Sequence, residues 1–586
     1  MNKIKEFQEL LKKKDIDAYI IPTSDYHMSE YTPAYFKARE YISGFTGDAG
    51  TLLVTKDDAK LWTDGRFFLQ ASIELEGSGI KLMKMGESGV PTLVEDLAEL
   101  FQNGGNLGFD GKCIETSTAI KIKKAVPKAK IINTDLISKI YDKDRAPLPF
   151  SYLYLLKDAF IGKSFSSKIE TVRNMIEDTG CNALVLARLE DQAWLYNLRA
   201  NDIECTPVFL SFTFVTLDSI YLFVDNNKID DEVSKYLSDN KINVKNYNEI
   251  YSFLSGLNDY KIMYDADTCN YNIYRALYRN NTLKNSINPT TKLKAIKNDV
   301  EIRNTIIAHI KDGVAMVKAM KYLYENADAL DEITYADYLE EKRKETQGYI
   351  ELSFPTIAGF DAHGAIIHYT AVKGKEAKLN TIHPTFFLVD SGAHYCLGTT
   401  DITRTYALGE VSDKMKENYT LVLKCHIDLA LAEFKAGTTG EQLDVIARQP
   451  LWSKGLDYRH GTGHGVGHIL SVHEGPQSIR YHGNTYPLEP GMITTDEPGL
   501  YIDGQYGIRI ENELLCVEAN TSEYGKFYKF KTITVCPYEP KAINKDMLTK
   551  PELDWLNNYH KSCYEKLSPY LNESEKEFLK NLTKEI

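Results

Sequence analysis

A glycine-rich segment with several histidines, HGTGHGVGHILSVHEG from His460 to Gly475, places the tightest limit on how this chain folds. Four of its first eight residues are glycine, and each glycine costs a helix roughly 1 kcal/mol relative to alanine, so loop or irregular strand is predicted. His464 and His468 are four residues apart, but no Glu follows His464 and the segment offers no helical face, which excludes a zincin site. Two interpretations stay open: a turn with solvated or packed histidines, or a bare backbone that lets imidazoles approach a ligand.

Length and charge limit the class of protein. The 586 residues are too many for one hydrophobic core, and we expect roughly three or four domains. The net charge of −13 argues against nucleic acid as a partner, because phosphate binding needs a basic face. The N-terminus has no apolar stretch like that of a signal peptide, and no run approaches the ~18 apolar residues that span a bilayer. Nine scattered cysteines without a CxxC pair indicate reduced thiols, so a cytoplasmic protein without membrane partners is expected.

The first half of the chain contains a loose repeat. The pattern predicts helix 3–14, strand 18–21 and paired strands 51–55 and 60–63, then helix 168–177, strand 183–186 and paired strands 208–216 and 220–225. Such a repeat is typical of two related α/β domains in tandem, since a solenoid has a shorter period. Prolines near 147–149 and 289 mark the boundaries, which gives domains 1–155, 156–290 and 291–586.

The last part of the chain begins helical and then changes character. Long helices are predicted over 294–327, 335–344 and 413–436, and a polar helical tail starts at 546 with Trp555 as an apolar anchor. Between them lie short strands divided by Gly and Pro, where the residues able to carry chemistry concentrate.

Two apolar strands of this region end in acids. Phe386-Phe-Leu-Val-Asp390 is followed by glycines at 392 and 398, which allow a hairpin that brings Asp390 near Asp401. A second strand, Met492 to Asp496, runs into Glu497. The alternative interpretation is that these acids only occupy turns.

Charged residues alternate with apolar ones from Gly507 to Glu513. Strand periodicity predicts that Arg509, Glu511 and Glu513 share one face. Taken alone, three charges on one face indicate a solvated sheet surface.

The same acids have a different interpretation if their side chains lie close to His464. Four carboxylates (Asp390, Asp401, Glu497 and Glu511) would repel one another and largely protonate, unless two divalent cations offset the charge of −4. Oxygen-rich ligation with one nitrogen favours a hard or borderline ion such as Mn²⁺. The sequence by itself leaves the convergence open.

Several blocks resemble a known family. DSGA with GTTDITRT, HGTGHGVGHILSVHEG, TTDEPGLY and GIRIENE occur in the order of the metal-binding blocks of the M24 metallopeptidases, which have the pita-bread fold. YISGFTGDAGTLLVT, WTDGRFFLQA, QAWLYNLRA, AIIHY and LDWLNNYH extend the resemblance, over essentially the whole chain, to the cytosolic three-domain aminopeptidase P family. The resemblance implies an α/β (α+β) chain with two creatinase-like N-terminal domains and a C-terminal pita-bread catalytic domain with an extension.

The resemblance also implies roles for individual residues. As metal ligands it indicates Asp390 on one ion, Asp401 and Glu511 bridging both, and His464 and Glu497 on the other. As catalytic residues it indicates His368, His460, His473, Glu497 and Arg509. His468 is interpreted as structural.

The implied activity is that of an Xaa-Pro aminopeptidase, in which a hydroxide bridging two metals attacks the bond before a penultimate proline. In that mechanism Glu497 carries the proton, His473 with His460 donates to the oxyanion, and the substrate amino terminus binds at the Asp390 metal. Mn²⁺ is the expected ion, with Co²⁺ or Zn²⁺ as alternatives, and the expected partners are proline-containing peptides and a second copy of the chain. Because the first two domains contain no ligands, we expect them to restrict access and build the homodimer. A prolidase and a catalytically silent pita-bread binding module are the alternatives.

Overall fold

The computed structural model describes residues 3–586, which pack into two compact units. The first unit runs to Leu156 and includes Lys163–Thr291. The second comprises Lys157–Gly162 and Lys292–Ile586.

The first unit contains two six-stranded sheets of the same design. In spatial order the strands of the first sheet are Lys81–Lys84, Ala59–Thr63, Thr51–Thr55, Ala18–Pro22, Gly105–Phe109 and Ala129–Asn133. Those of the second sheet are Asn243–Asn246, Ile220–Val224, Ser211–Thr216, Ala183–Leu186, Lys261–Tyr264 and Thr282–Asn285. In each sheet the fourth strand of this order is antiparallel to the third and parallel to the fifth. The prediction of two related α/β domains in tandem is confirmed, although the strand expected from 208 begins at Ser211.

Helices flank both sheets. Their bounds are Lys3–Lys14, Ala38–Ser43, Phe68–Glu74, Leu93–Leu100, Thr116–Ala125, Ser138–Tyr141, Phe165–Asp178, Leu189–Tyr196, Asp231–Asp239, Ile250–Ser255 and Tyr271–Leu277. The first of them buries Ile4, Phe7 and Leu11, three residues at helical spacing, against the sheet core. A two-stranded ribbon of Tyr154–Leu155 and Leu198–Arg199 completes the unit.

The second unit combines three sheets and a ribbon with long helices. In spatial order, one three-stranded sheet consists of Tyr349–Leu352, Ala393–Tyr395 and Gly398–Thr399, and the other of Ile357–Phe360, Thr385–Ser391 and Ile402–Leu408. The six-stranded sheet consists of Glu433–Lys435, Gly525–Thr532, Asn512–Ser522, Ile493–Asp496, Gly463–Gly465 and Glu474–Ile479. Strands Gly499–Ile502 and Tyr506–Arg509 form the ribbon. Its helices are Asp158–Ile161, Asp299–Asn326, Glu332–Lys344, Asp413–Ala430, Gly440–Trp452, Lys550–Leu567 and Glu573–Leu582, and helix Pro289–Ala295 lies where the two units meet in sequence.

Two predicted helices differ from those observed. The helix expected over 294–327 is divided, because Asn298 leaves the helical conformation and caps a new helix by accepting hydrogen bonds from the backbone of Val300 and Glu301. The helix expected over 413–436 ends at Ala430, because Phe434 joins a strand opposite Tyr528. The helical stripes are right, but backbone capping and strand pairing set the ends.

No helix within residues 3–586 combines the length and the apolar character needed to cross a membrane.

Candidate metal centre and active site

The glycine-rich segment is a short strand followed by loop, as its composition predicts. Strand Gly463–Gly465 lies between Ile493–Asp496 and Glu474–Ile479. A β-carbon at Gly463 would collide with the backbone oxygen of Thr495, so only glycine allows the neighbouring strand to approach this closely. His464 is held between the two glycines, and its backbone N–H donates to Thr495 Oγ1 at 3.0 Å.

The predicted hairpin brings the first two acids together. Strands Thr385–Ser391 and Ile402–Leu408 pair antiparallel, with Asp390 opposite Thr403, so Asp401 lies just before the partner strand. Both carboxylates are buried. The interpretation that Asp390 and Asp401 only occupy turns is therefore wrong, since Asp390 lies in a strand and both are buried.

The other two acids lie at adjoining strand ends. Asp496, the last residue of strand Ile493–Asp496, pairs with Asn512, the first residue of strand Asn512–Ser522. Glu497 follows Asp496 in sequence and Glu511 precedes Asn512, so both acids lie next to this pair. The predicted continuous strand from 507 to 513 is interrupted between Arg509 and Asn512. The solvated-surface interpretation of Arg509, Glu511 and Glu513 is wrong as well, since none is more than 2% exposed.

These side chains converge on one point. A ligand atom from each of Asp401, His464 and Glu511 lies within 4.8 Å of the others. His464 Nε2 is 3.4 Å from Asp401 Oδ2 and 3.7 Å from Glu497 Oε1. Asp390 and Glu497 are not members of that group of three, but Asp390 acts electrostatically on Asp401, Glu497 and Glu511.

Crowding of the acids changes their protonation. Burial and then the neighbouring Asp390 raise the pKa of Asp401 well above its ordinary value. Burial and then Asp401 do the same to the pKa of Glu511. Burial also raises the pKa of Glu497 to about 7, although His464 acts in the opposite direction.

The cluster fits a pair of metal ions. Within residues 3–586, the buried atoms Asp390 Oδ1 and Asp401 Oδ1 have no hydrogen-bond partner. A buried acceptor without a partner costs about 1–3 kcal/mol, which a cation between the carboxylates removes. Four carboxylates with one imidazole form the donor set of a hard or borderline divalent ion.

Arg509 links the acids to a histidine through a tyrosine. Arg509 Nη2 donates to Asp390 Oδ2 at 2.7 Å, and Nη1 donates to Tyr501 Oη at 2.7 Å. Tyr501 Oη lies 2.8 Å from His460 Nε2, and His460 Nδ1 lies 2.7 Å from the carbonyl oxygen of Gly461. Because that carbonyl only accepts, Nδ1 carries a proton, and in the neutral ring Tyr501 donates to Nε2 while it accepts from Arg509.

His460 is therefore a neutral imidazole with both nitrogens engaged. Burial, followed by the nearby positive charge of Arg509, lowers its pKa well below the ordinary value. The remaining predicted histidines are also near: the rings of His473 and His464 are 4.2 Å apart, and His368 electrostatically affects His460.

His468 occupies a different environment from the other histidines of the segment. It is buried, with Nδ1 3.2 Å from Thr305 Oγ1 and Nε2 2.9 Å from the carbonyl oxygen of Phe160. Its contacts agree with the structural role expected for it.

Two residues of the site escaped the sequence analysis. One is Tyr501, described above, the last residue of the TTDEPGLY block. The other is Thr403, whose Oγ1 donates to Glu511 Oε2 at 2.7 Å and accepts from Arg509 Nε at 3.3 Å. Both lie inside recognised blocks, but residue type alone does not reveal a contact that depends on the pairing of distant strands.

Family comparisons cover nearly all of the chain. Residues 303–518 match the family described as Metallopeptidase family M24, and residues 526–586 match the C-terminal region of peptidase M24. Residues 3–141 and 144–301 each match a Creatinase/Prolidase N-terminal domain. The chain belongs to metallopeptidase family M24, with creatinase-type N-terminal domains, and the predicted fold class is confirmed.

Individual relatives show which members of this family the chain is similar to. Aminopeptidase P1 of Arabidopsis thaliana is 37% identical over 97% of each chain, and Xaa-Pro aminopeptidase 1 of Dictyostelium discoideum is 38% identical over 100% of this chain and 96% of that one. The X-prolyl aminopeptidase of Caenorhabditis elegans, a cytosolic enzyme with a di-nuclear active site, is 32% identical and superposes with a TM-score of 0.94 over 100% of this chain and 98% of that one. The predicted resemblance to aminopeptidase P is confirmed.

A shorter relative matches only part of the chain. The Xaa-Pro dipeptidase of Bacillus anthracis is 26% identical, with a TM-score of 0.51 over 64% of this chain and 99% of its own.

Proposed function

We propose that this protein is a metal-dependent Xaa-Pro aminopeptidase, which removes the first residue of peptides with proline in second position. The observation that carries the proposal is the buried cluster of Asp401, His464 and Glu511, together with Asp390 and Glu497. This cluster occurs in a chain whose full-length relatives are named aminopeptidase P or Xaa-Pro aminopeptidase.

We assign five residues to two divalent ions. Asp390 would hold one ion, His464 and Glu497 the other, and Asp401 and Glu511 both. When bound, the ions supply Lewis-acid chemistry that polarises the scissile carbonyl and acidifies a water. We propose Mn²⁺ because oxygen donors dominate the set, with Co²⁺ and Zn²⁺ as the alternatives to test.

The protein's own residues then position the substrate and move the proton. Glu497 transfers a proton from the attacking water to the leaving prolyl nitrogen. His473 donates to the developing oxyanion, a contribution typically worth about 3–4 kcal/mol. His368 contacts the bound peptide. His460 already uses both ring nitrogens, so we assign it, with Arg509, to holding the site rigid.

The chemistry of proline explains the specificity. An X–Pro bond is a tertiary amide without an N–H, and its ring fixes φ near about −65°, so a pocket shaped for that ring selects it. The prolidase alternative is less favoured, because the dipeptidase relative leaves about a third of this chain unmatched while the aminopeptidase relative spans all of it.

One experiment separates the two activities. Metal-free protein is reconstituted separately with Mn²⁺, Co²⁺ and Zn²⁺, and release of the first residue is measured from Arg-Pro-Pro and from Arg-Pro. We expect the tripeptide to be cleaved much faster. Preference for the dipeptide would establish the prolidase instead.

A matched pair of variants tests the ligand assignment. Asp401→Asn should lower kcat/KM by more than about 100-fold. Mutation of a residue that only hydrogen-bonds to a metal ligand already lowers metal affinity or activity by about 10–100-fold, and loss of a ligand should cost more. Asp503→Asn, in an exposed turn, serves as the control. A rate for Asp401→Asn above about a tenth of wild type would contradict the bridging role.

We further propose a cytoplasmic homodimer with domains 1–155, 156–290 and 291–586. The cytosolic relative and the tandem creatinase-type domains support this organisation. Sedimentation equilibrium tests the dimer: a chain beginning near residue 290 should be monomeric, and a dimer of that fragment would refute the role of the first two domains.

A further inference from the structure

The two strand ends that provide Glu497 and Glu511 also have an opposite side. Asp496 and Asn512 pair with each other next to those acids, and their side chains contact residues that are not part of the metal cluster. Asp496 Oδ2 is 3.1 Å from His426 Nδ1, and Asn512 Nδ2 donates to Tyr538 Oη at 2.7 Å. His426 Nε2 lies 2.9 Å from the same tyrosine oxygen, so one polar network supports both strand ends.

Arg404 is the centre of this network. It is 1% exposed and donates to the carbonyl oxygens of Thr403 and Glu511 at 2.8 and 2.7 Å. It also donates to Asn512 Oδ1 at 2.8 Å. Further bonds run to the carbonyl oxygens of Cys536 and Pro537, so the five N–H groups of Arg404 face five close acceptors and a sixth acceptor must share one of them. Arg404 therefore fixes the backbone of the Glu511 ligand to the segment that precedes the C-terminal tail.

The tail helix Lys550–Leu567 completes the network from outside. Tyr559 Oη accepts from Arg404 Nη2 at 3.3 Å and from the backbone N–H of Cys536 at 3.2 Å, and it lies 3.0 Å from the carbonyl oxygen of Cys536. The Tyr559 ring stacks on Trp555 with the planes 3° apart. His560 Nε2, next in sequence, accepts from the backbone N–H of Tyr538 at 3.2 Å.

We propose that the tail helix is a positioning element of the metal centre, in which the Tyr559 hydroxyl acts through Arg404 and Asn512 on the orientation of Glu511. The inference rests on the assignment of Glu511 as a metal ligand. The proposal gives the LDWLNNYH motif, which contains Trp555 and Tyr559, a role in supporting the site. The Tyr559 hydroxyl shares the Nη2 donors of Arg404 with Asn512 Oδ1 and the Cys536 carbonyl, so loss of this hydroxyl alters how Arg404 holds Asn512 and the Glu511 backbone.

Metal titration of the metal-free full-length protein tests the proposal without relying on peptide cleavage. Tyr559→Phe removes one oxygen and should weaken binding of both Mn²⁺ ions by about 10-fold, the lower end of the effect of groups that hydrogen-bond to a ligand, because Glu511 is assigned to both ions. Tyr564→Phe, on the same helix, is the matched control, because both rings pack against the apolar cluster near Val535 but, among the described residues, only the Tyr559 hydroxyl bonds Arg404. Kinetically, excess Mn²⁺ should restore kcat of Tyr559→Phe.

A second variant guards against misfolding. Arg404→Lys keeps the charge but has fewer donors, and it should weaken binding more than Tyr559→Phe does. Thermal unfolding identifies the folded variants before titration. If folded Tyr559→Phe or Arg404→Lys binds two ions as tightly as wild type, the positioning proposal is overturned. If wild type itself binds no stoichiometric metal, the proposed function fails instead.

Discussion

Thr403 offers a sharp test of how the site is held together. Its hydroxyl donates to Glu511 Oε2 at 2.7 Å, and the side chain is fully buried. Thr403→Val preserves the shape of the residue and removes only this hydroxyl. A hydrogen bond to a charged acceptor is worth about 1.5–3 kcal/mol, and each 1.4 kcal/mol corresponds to about a factor of ten, so Mn²⁺ affinity and kcat/KM should fall by roughly 10–100-fold.

Thr405 provides the matched control. It lies on the same strand and is equally buried, but its hydroxyl bonds the backbone of Arg509 at 2.8 and 3.1 Å and contacts no ligand carboxylate. Thr403→Val and Thr405→Val should each lower the free energy of unfolding by about 1–3 kcal/mol. Thr405→Val, however, should change metal affinity by less than about 3-fold.

Three measurements decide the comparison: denaturant unfolding, Mn²⁺ titration of the metal-free protein, and hydrolysis of a proline-second tripeptide. The reasoning predicts equal losses of stability and unequal losses of metal affinity. Equal effects of Thr403→Val and Thr405→Val on metal binding would refute it, because the hydroxyl would then act only on folding.

Three further outcomes are expected. Tyr501→Phe removes the donor to His460 and the acceptor of Arg509, so kcat should fall by about 10-fold or more while KM changes little; a change confined to KM would contradict this role. Removing metal with a chelator should lower the unfolding midpoint, and added Mn²⁺ should raise it with concentration; a midpoint independent of metal would exclude binding to the folded state. Burial lowers the pKa of His560 to about 4 from 6.5, so unfolding at lower pH takes up a proton at this residue. This group should therefore contribute a loss of stability of up to about 3 kcal/mol between pH 6.5 and pH 4, and the loss measured for His560→Gln should be smaller than that of wild type by this amount.

Much of this architecture could be predicted from local pattern. Glycine spacing in the His460–Gly475 segment excluded a helix, because the backbone penalty is intrinsic to the residue type. Apolar runs that end in Asp390 and Asp496 predicted acids at strand ends, and Asp496 is the last residue of its strand while Asp390 is the last but one. The repeat of the first half was visible because each copy keeps the same order of elements.

Other features depend on tertiary context. The alternation from Arg509 to Glu513 is the same for a solvated face and for a buried site, and only the strands packed around it decide. Asn298 fits a helix interior or a cap, and the break there follows from its bonds to the backbone beyond it. Thr403 and Tyr501 gain their roles from partners distant in sequence or on another strand.

The proposed ligands lie in, or next to the ends of, separate strands between Asp390 and Glu511. No short peptide from this chain would retain the affinity of the assembled centre, because each segment contributes one or two donors. With this ligand set, the chain would acquire its ions during synthesis only after Glu511 has left the ribosome and the surrounding sheets have formed. Stoichiometric metal uptake would thus report that the catalytic unit has matured.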